Sequence, residues 1–204
     1  MVPLPIWVKS METKSSIRKQ ILGLRNAMSF DECNVKSMAV MQKVLSLSQI
    51  KHAEYVLCYA SYKSEVMTGD LMKELLKIGK QIYCPRVSGD DMEFYHILSL
   101  RCLTEGYKGI PEPSIDCTDV FTVNMLEENK ERVVMLLPGA VFSESGARIG
   151  YGKGYYDRYL MRIPCMERIA LCYEMQIVED LPADPHDIPV TTIVTEDVIR
   201  NIIG

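Results

Sequence analysis

Residues 54–87 read EYVLCYASYKSEVMTGDLMKELLKIGKQIYCPRV. The opening run, 54–59, is a short apolar segment of strand length. Residues 68–78 then place apolar side chains at helical spacing up to Gly79, and 81–87 form a second β-branched and aromatic run. Strand, helix, strand implies a parallel crossover, because a hairpin needs no helix between its strands.

Working outward, Ser88-Gly89-Asp90-Asp91 reads as a turn into a hairpin strand over 92–97. A long irregular stretch through Gly109-Ile110-Pro111-Glu112-Pro113 follows, a candidate wall of a site. Residues 132–137 form a compact apolar strand stopped by Pro138-Gly139, a helix runs from about Tyr155 to Arg162, and further strands fall at 168–173 and, as the last, 190–194. Before residue 54, Ile17, Ile21, Leu22 and Leu24 alternate with Lys14, Arg18, Lys19 and Arg25, which predicts a basic amphipathic helix over 13–27. A capping box at Ser29-Phe30-Asp31-Glu32 starts a second helix ending near Leu47. The expected fold is α/β: three layers, a mostly parallel sheet with helices on both faces, and an N-terminal helical segment. Ligands in such sheets sit beyond the carboxyl ends of the strands, here the loops after Tyr59, Pro85, Leu137 and Tyr173.

A chain of 204 residues is long enough for one core, so residues 1–204 are expected to form a single domain. Residues 1–12 are expected to be a loose N-terminal arm: MVPLPIWVKS carries two prolines and lacks both a basic leader and a small-residue cleavage site. The net charge of -4 opposes broad attraction to nucleic acid or anionic membrane, and no window reaches the roughly 20 apolar residues of a membrane span. Seven cysteines without a C-x-x-C pair, with Cys58, Cys84, Cys165 and Cys172 in or near apolar runs, fit buried reduced thiols in a cytoplasmic protein.

The chemistry concentrates in residues 137–160, LPGAVFSESGARIGYGKGYYDRYL. Gly150, Gly152 and Gly154 alternate between cations, so backbone N–H groups can approach a polyphosphate while Arg148, Lys153 and Arg158 balance its charge. Asp157 can hold a metal ion. The spacing is neither a Walker A loop nor a Rossmann fingerprint. The alternative is a glycine-rich turn with a surface lysine, and the density of charge beside a helix start counts against it. His52, His96 and His186 show no metal-binding spacing, though His186 beside Asp187 could lie near the site, and no G-x-S-x-G elbow occurs.

Residues 138–160 resemble the signature of the 5-formyltetrahydrofolate cyclo-ligase (methenyltetrahydrofolate synthetase) family. The resemblance extends to Lys14-Ser15-Ser16-Ile17-Arg18, similar to the family's K-x-x-x-R with a further arginine, here Arg25. It continues through Glu65-Val66-Met67-Thr68, Pro85-Arg86 and Gly109-Ile110-Pro111-Glu112-Pro113, leaving only residues 1–12 outside. It implies a monomeric, ATP- and Mg2+-dependent enzyme that converts 5-formyltetrahydrofolate to 5,10-methenyltetrahydrofolate with release of ADP and phosphate. The formyl oxygen would be phosphorylated and N10 would attack, with no covalent nucleophile.

By position, the resemblance assigns ATP to Lys14, Arg18, Arg148, Ile149, Gly150, Tyr151, Gly152, Lys153, Gly154, Tyr155 and Tyr156. It assigns folate to Ala60, Glu65, Tyr151, Gly152, Lys153, Gly154 and Tyr155, and magnesium to Asp157 and Asp187. Lys153, Arg148 and Tyr155 are the catalytic candidates. Lys14 and Arg18, four apart, share a helix face and can reach one phosphate, although such pairs also occur on solvated faces. Glu65 can accept from pterin nitrogens or be a solvated loop charge; the tyrosines can cover a ring or simply pack. After Asp187-Ile188-Pro189-Val190 the family often places an acidic residue where this chain has Thr191, which suits a water-mediated metal contact at Asp187. Two other readings stand beside this one: a non-catalytic folate- or nucleotide-binding relative, and a sugar-phosphate isomerase or acyl transferase on a similar scaffold.

Overall fold

The computed structural model describes residues 13–163, 166–182 and 187–202. Three helices come first: α1 (Lys14–Asn26), α2 (Phe30–Ser46) and α3 (Ser48–His52). Thr13 caps α1 by accepting from the Ser16 N–H, and the predicted capping box of Ser29 and Glu32 starts α2. The parallel crossover follows as β1 (Tyr55–Cys58), α4 (Gly69–Lys77) and β2 (Gln81–Ser88). Then come β3 (Asp91–Ile97), β4 (Leu103–Glu105), β5 (Pro111–Pro113), α5 (Val123–Glu128) and β6 (Val133–Leu137). The chain continues through β7 (Val141–Ser143), β8 (Arg148–Ile149), α6 (Tyr155–Arg162), β9 (Glu167–Leu171), β10 (Ile177–Val178), β11 (Thr192–Val194) and β12 (Ile199–Asn201).

The main sheet has seven strands in the order β12-β11-β9-β6-β1-β2-β3. Its interior pairs are parallel, and β12 and β3 add antiparallel edges. The two central strands, β1 and β6, read as unbroken apolar and aromatic runs because helices cover both faces. Val56 and Cys58 of β1, with Val134 and Leu136 of β6, pack with Val40 and Val44 of α2 and Leu71, Met72 and Leu75 of α4. The alternate residues, Leu57, Val133, Met135 and Leu137, pack with Leu126 of α5 and Tyr159 and Leu160 of α6. That alternation produces the three expected layers. Among the described residues no helix is long and apolar enough to cross a membrane.

Three expectations needed correction. The stretch around Gly109 is not irregular throughout: β4 and β5 pair as an antiparallel hairpin, hidden in sequence by the prolines that bound β5. The strand at 190–194 begins at Thr192 and is not the last, because β12, too short to show alternation, pairs with it. The glycine stretch follows β7 and β8 of a small second sheet, β10-β7-β8, whose strands of two or three residues carry no periodic signal. On this sheet α1 docks: Ile17 and Ile21 pack with Ala140, Val141, Ile149 and Leu181. Cys33, Cys58, Cys84 and Cys172 are buried free thiols. The loose arm, Cys165 and His186 lie outside the described residues.

Leu75 is fully buried in the α4 face, whereas Ile78 just beyond that helix is 58% exposed. Leu75→Ala should therefore cost about 2–5 kcal/mol in urea unfolding, and Ile78→Ala less than about 0.5 kcal/mol. Equal losses would show that this face is not the buried one.

Candidate functional site

The strand order reverses between β1 and β6: from β1 the chain builds outward through β2 and β3, then returns to β6 on the other side and builds toward β12. The crevice beyond the carboxyl ends of two such strands is where ligands bind in open α/β sheets. Residues 59–68 leave β1 there and residues 138–154 leave β6 there. The first carries Ala60 and Glu65, the second the three alternating glycines, so topology brings the two predicted segments together. A wider recess between α3 and the start of β6, lined by Ser48, His52, Lys130 and Arg132, lies at the opposite, amino end of the sheet.

Each of the three glycines faces a guanidinium. A side-chain carbon at Gly150 would sit 3.1 Å from Nη1 of Arg148, one at Gly152 3.1 Å from Nη1 of Arg18, and one at Gly154 3.0 Å from Nη1 of Arg158. The alternation therefore lets three cations lie against one stretch of backbone. Gly152 also adopts φ +91°, a region L side chains rarely occupy. Arg148 is held by an ion pair from Nη2 to Oδ1 of Asp157 at 2.5 Å, and its Nε is buried without an acceptor among the described residues. Arg158 donates to the Lys153 carbonyl at 2.9 Å and to the Asp90 carbonyl.

The two predicted metal ligands are both engaged by cations. Asp157 lies in the first turn of α6 against Arg148, and Asp187 accepts from Nζ of Lys14 at 2.5 Å. Among the described residues no group of three His, Cys, Asp or Glu side chains could cage a metal. Mg2+ needs fewer protein ligands, since it keeps waters and binds phosphates with one or two carboxylates. The donor set fits an ion that arrives with a polyphosphate, not one caged by protein alone. Neither described histidine competes: Nδ1 of His52 meets the Ser48 carbonyl, and His96 stacks on Tyr83.

Opposite the glycines, Ala60 is buried and Glu65 is 9% exposed, with Oε2 accepting from the Tyr62 N–H at 2.8 Å. Burial pushes the Glu65 carboxyl up, opposed by a hydrogen bond from Tyr151, the Tyr62 N–H and the charge of Arg25. Tyr151 exposes its ring but turns its hydroxyl inward, where burial and then Glu65 raise its pKa. Tyr156 is raised well above the usual phenol range by burial first and then by Glu65, and stays neutral. Tyr155 faces another way: its hydroxyl donates to the Gly89 carbonyl at 3.2 Å and its ring meets Tyr107 edge-on. With Lys153, Arg158, Gly89 and Asp90, these two rings line an open recess of about 560 Å³.

Most of the predicted residues thus surround one crevice. The Ile149 side chain is committed to the core under α1, which leaves only its backbone for a ligand. Sequence reading gave Arg25 no role of its own, yet it lies seven residues beyond Arg18 on the same helical stripe, a spacing that could have marked it. The 88–91 turn and the candidate wall that contains Tyr107 were legible as such, but nothing local placed them against α6, because only the hairpins bring them there.

Gly152→Ala should cost about 1–2 kcal/mol in denaturant unfolding from its left-handed backbone, whereas Gly150→Ala, whose φ is not positive, should cost clearly less. Equal costs would mean that the backbone at Gly152 relaxes freely.

The model of the 5-formyltetrahydrofolate cyclo-ligase family matches residues 10–196. A 5-formyltetrahydrofolate cyclo-ligase of Saccharomyces cerevisiae is 28% identical over 92% of this chain and 97% of its own length. The NMR structure of Aquifex aeolicus 5,10-methenyltetrahydrofolate synthetase superposes with a TM-score of 0.81 and 34% identity, covering 94% of this chain and 93% of that one. A 5,10-methenyltetrahydrofolate synthetase from Mycoplasma pneumoniae superposes with a TM-score of 0.72 and 28% identity over 91% of this chain and 99% of that one. With its core, its crevice and its glycine stretch all inside the matched residues, the chain belongs to the 5-formyltetrahydrofolate cyclo-ligase family of enzymes.

Proposed function

We propose that this chain, acting as a single cytoplasmic domain and a monomer, converts 5-formyltetrahydrofolate and ATP to 5,10-methenyltetrahydrofolate, ADP and phosphate with Mg2+. The observation that carries this reading is the convergence of Arg148, Arg18 and Arg158 on one glycine backbone at the switch point of the sheet. Backbone N–H groups flanked by fixed cations suit a polyphosphate, and the buried Nε–H of Arg148 is a donor that an anion's oxygen would satisfy. The free thiols among the described residues suit a reducing compartment.

The formyl carbon is a poor electrophile while its oxygen leaves badly. Transfer of the γ-phosphoryl group to that oxygen breaks the bond to ADP and forms an iminium phosphate. N10 then attacks the carbon, the carbon–oxygen bond breaks, phosphate leaves and the N10 proton passes to solvent. The protein's task is to align two substrates and to balance moving charge. Lys14, Arg18 and residues 148–156 would hold the phosphates, with Lys153 and Arg148 nearest the transferred group and Tyr155 at its edge. Ala60, Glu65 and the Tyr151 to Tyr155 stretch would meet the folate. Asp157 and Asp187 would hold Mg2+ beside the phosphates, where it would supply charge neutralisation.

Purified protein mixed with 5-formyltetrahydrofolate, ATP and Mg2+ should produce the methenyl absorbance, and EDTA or omission of ATP should abolish it; absence of product with both substrates bound would favour a non-catalytic relative. Lys153→Met should lower turnover at least about tenfold, equivalent to about 1.4 kcal/mol of barrier, with folding intact. Near-normal turnover would remove its catalytic role. Lys14→Ala should raise the KM for ATP more than that for folate, and an unchanged ATP KM would leave Lys14 a structural role beside Asp187.

A further inference from the structure

Arg25 is 4% exposed, and its guanidinium joins three separate segments. Nε donates to Ser64 Oγ at 3.1 Å, while Nη1 donates to the Gly139 carbonyl at 3.3 Å and to the Tyr151 hydroxyl at 2.8 Å. A guanidinium has donors only, so the Tyr151 oxygen must be the acceptor in that bond. The single phenolic hydrogen is then left for another partner, and Glu65 is the carboxylate that interacts with the same hydroxyl. The hydrogens therefore point one way, from Arg25 to the Tyr151 oxygen and from Tyr151 toward Glu65.

We infer that Arg25 is a positioning residue for folate recognition: by fixing the direction of this chain it presents Glu65 to the substrate as a hydrogen-bond acceptor for pterin N–H groups. The inference rests on the reading above that Glu65 meets the folate. Reversing the chain would need a protonated Glu65 donating to Tyr151, whose own hydrogen would then confront a cation. Arg25 holds the arrangement because α1 supplies the charge, residues 59–68 supply the carboxylate, and the glycine stretch supplies the hydroxyl between them.

The groups that face Glu65 come from every element around it. They are Arg25 of α1, Tyr59 just after β1, Tyr151 of the glycine stretch and Tyr156 of α6, while the Tyr173 hydroxyl donates to the Glu65 main-chain carbonyl at 3.2 Å. Burial raises the Glu65 pKa, and Tyr151, the Tyr62 N–H and Arg25 oppose the rise. Folate binding that needs the carboxylate is therefore present above that pKa and lost as pH falls through it. Removing Arg25, or the hydroxyl that links it, leaves burial less opposed and moves the loss to higher pH.

The test is calorimetric binding of 5-formyltetrahydrofolate from pH 5 to 8, together with steady-state turnover, for the wild type, Arg25→Met, Tyr151→Phe and Glu65→Gln. Arg25→Met and Tyr151→Phe should each weaken folate binding at pH 7 by about tenfold and raise the acid midpoint by about one pH unit, and Arg25→Met should keep the ATP KM within about twofold of wild type. Tyr151→Phe leaves the Ser64 and Gly139 bonds of Arg25 in place, so it tests the chain even where Arg25→Met does not fold. An unmoved midpoint in Tyr151→Phe, or both KM values rising together in Arg25→Met with an unmoved midpoint, would make Arg25 merely structural. Glu65→Gln binding folate like the wild type at every pH would sink the folate assignment of Glu65 and the inference with it. Glu65→Gln that binds weakly, beside Tyr151→Phe with a wild-type profile, would overturn the role of Arg25 alone.

Discussion

The parallel pairing of β1 with β6, in the register Tyr55↔Val133 through Cys58↔Leu136, is the constraint on which the rest of the molecule depends. These strands are adjacent in space but separated in sequence by an entire half of the sheet. Once they pair, β2 and β3 are confined to one side and β9, β11 and β12 to the other. The crevice follows from that reversal, since the connections leaving two neighbouring strands must diverge to opposite sides. Alternate residues of both strands enter opposite cores, so a helix is required on each face.

On that frame the glycine stretch is a place where cations are packed against backbone. Arg148 precedes it, Arg158 follows it on α6, and Arg18 reaches it from α1, which is docked by Ile17 and Ile21 on the small second sheet. The small sheet matters for this reason: it anchors a helix that would otherwise be an appendage and aims its basic stripe at the glycines. Asp157 and Asp187 keep that concentration of positive charge tolerable through their pairs with Arg148 and Lys14. A bound polyphosphate would compete for the same cations, which accords with the proposed chemistry.

Much of this was legible in the sequence. The capping box at Ser29, the helix ending near Gly79, the crossover over 54–87 and the helix from Tyr155 all depend on neighbours within one or two turns, and such patterns survive folding unchanged. The candidate site was legible where its residues are contiguous, as in 148–157. It was not where contacts are distant: Tyr107 beside Tyr155, the Gly89 carbonyl under the Tyr155 hydroxyl, and Arg158 clasping the 89–90 turn depend on two hairpins meeting at the start of α6.

The sequence by itself determined the periodicity of the elements, their α/β order and the clustering of glycine with charge, because each is encoded by residues a few positions apart. Only the tertiary structure decided which carboxylates face which cations, that Ile149 belongs to the core, and that Arg25 is a buried hub and not part of a solvated face. The physical reason is that burial and partner are properties of packing. Lys14 and Asp187 are 173 positions apart, and no local pattern specifies that their charges will meet.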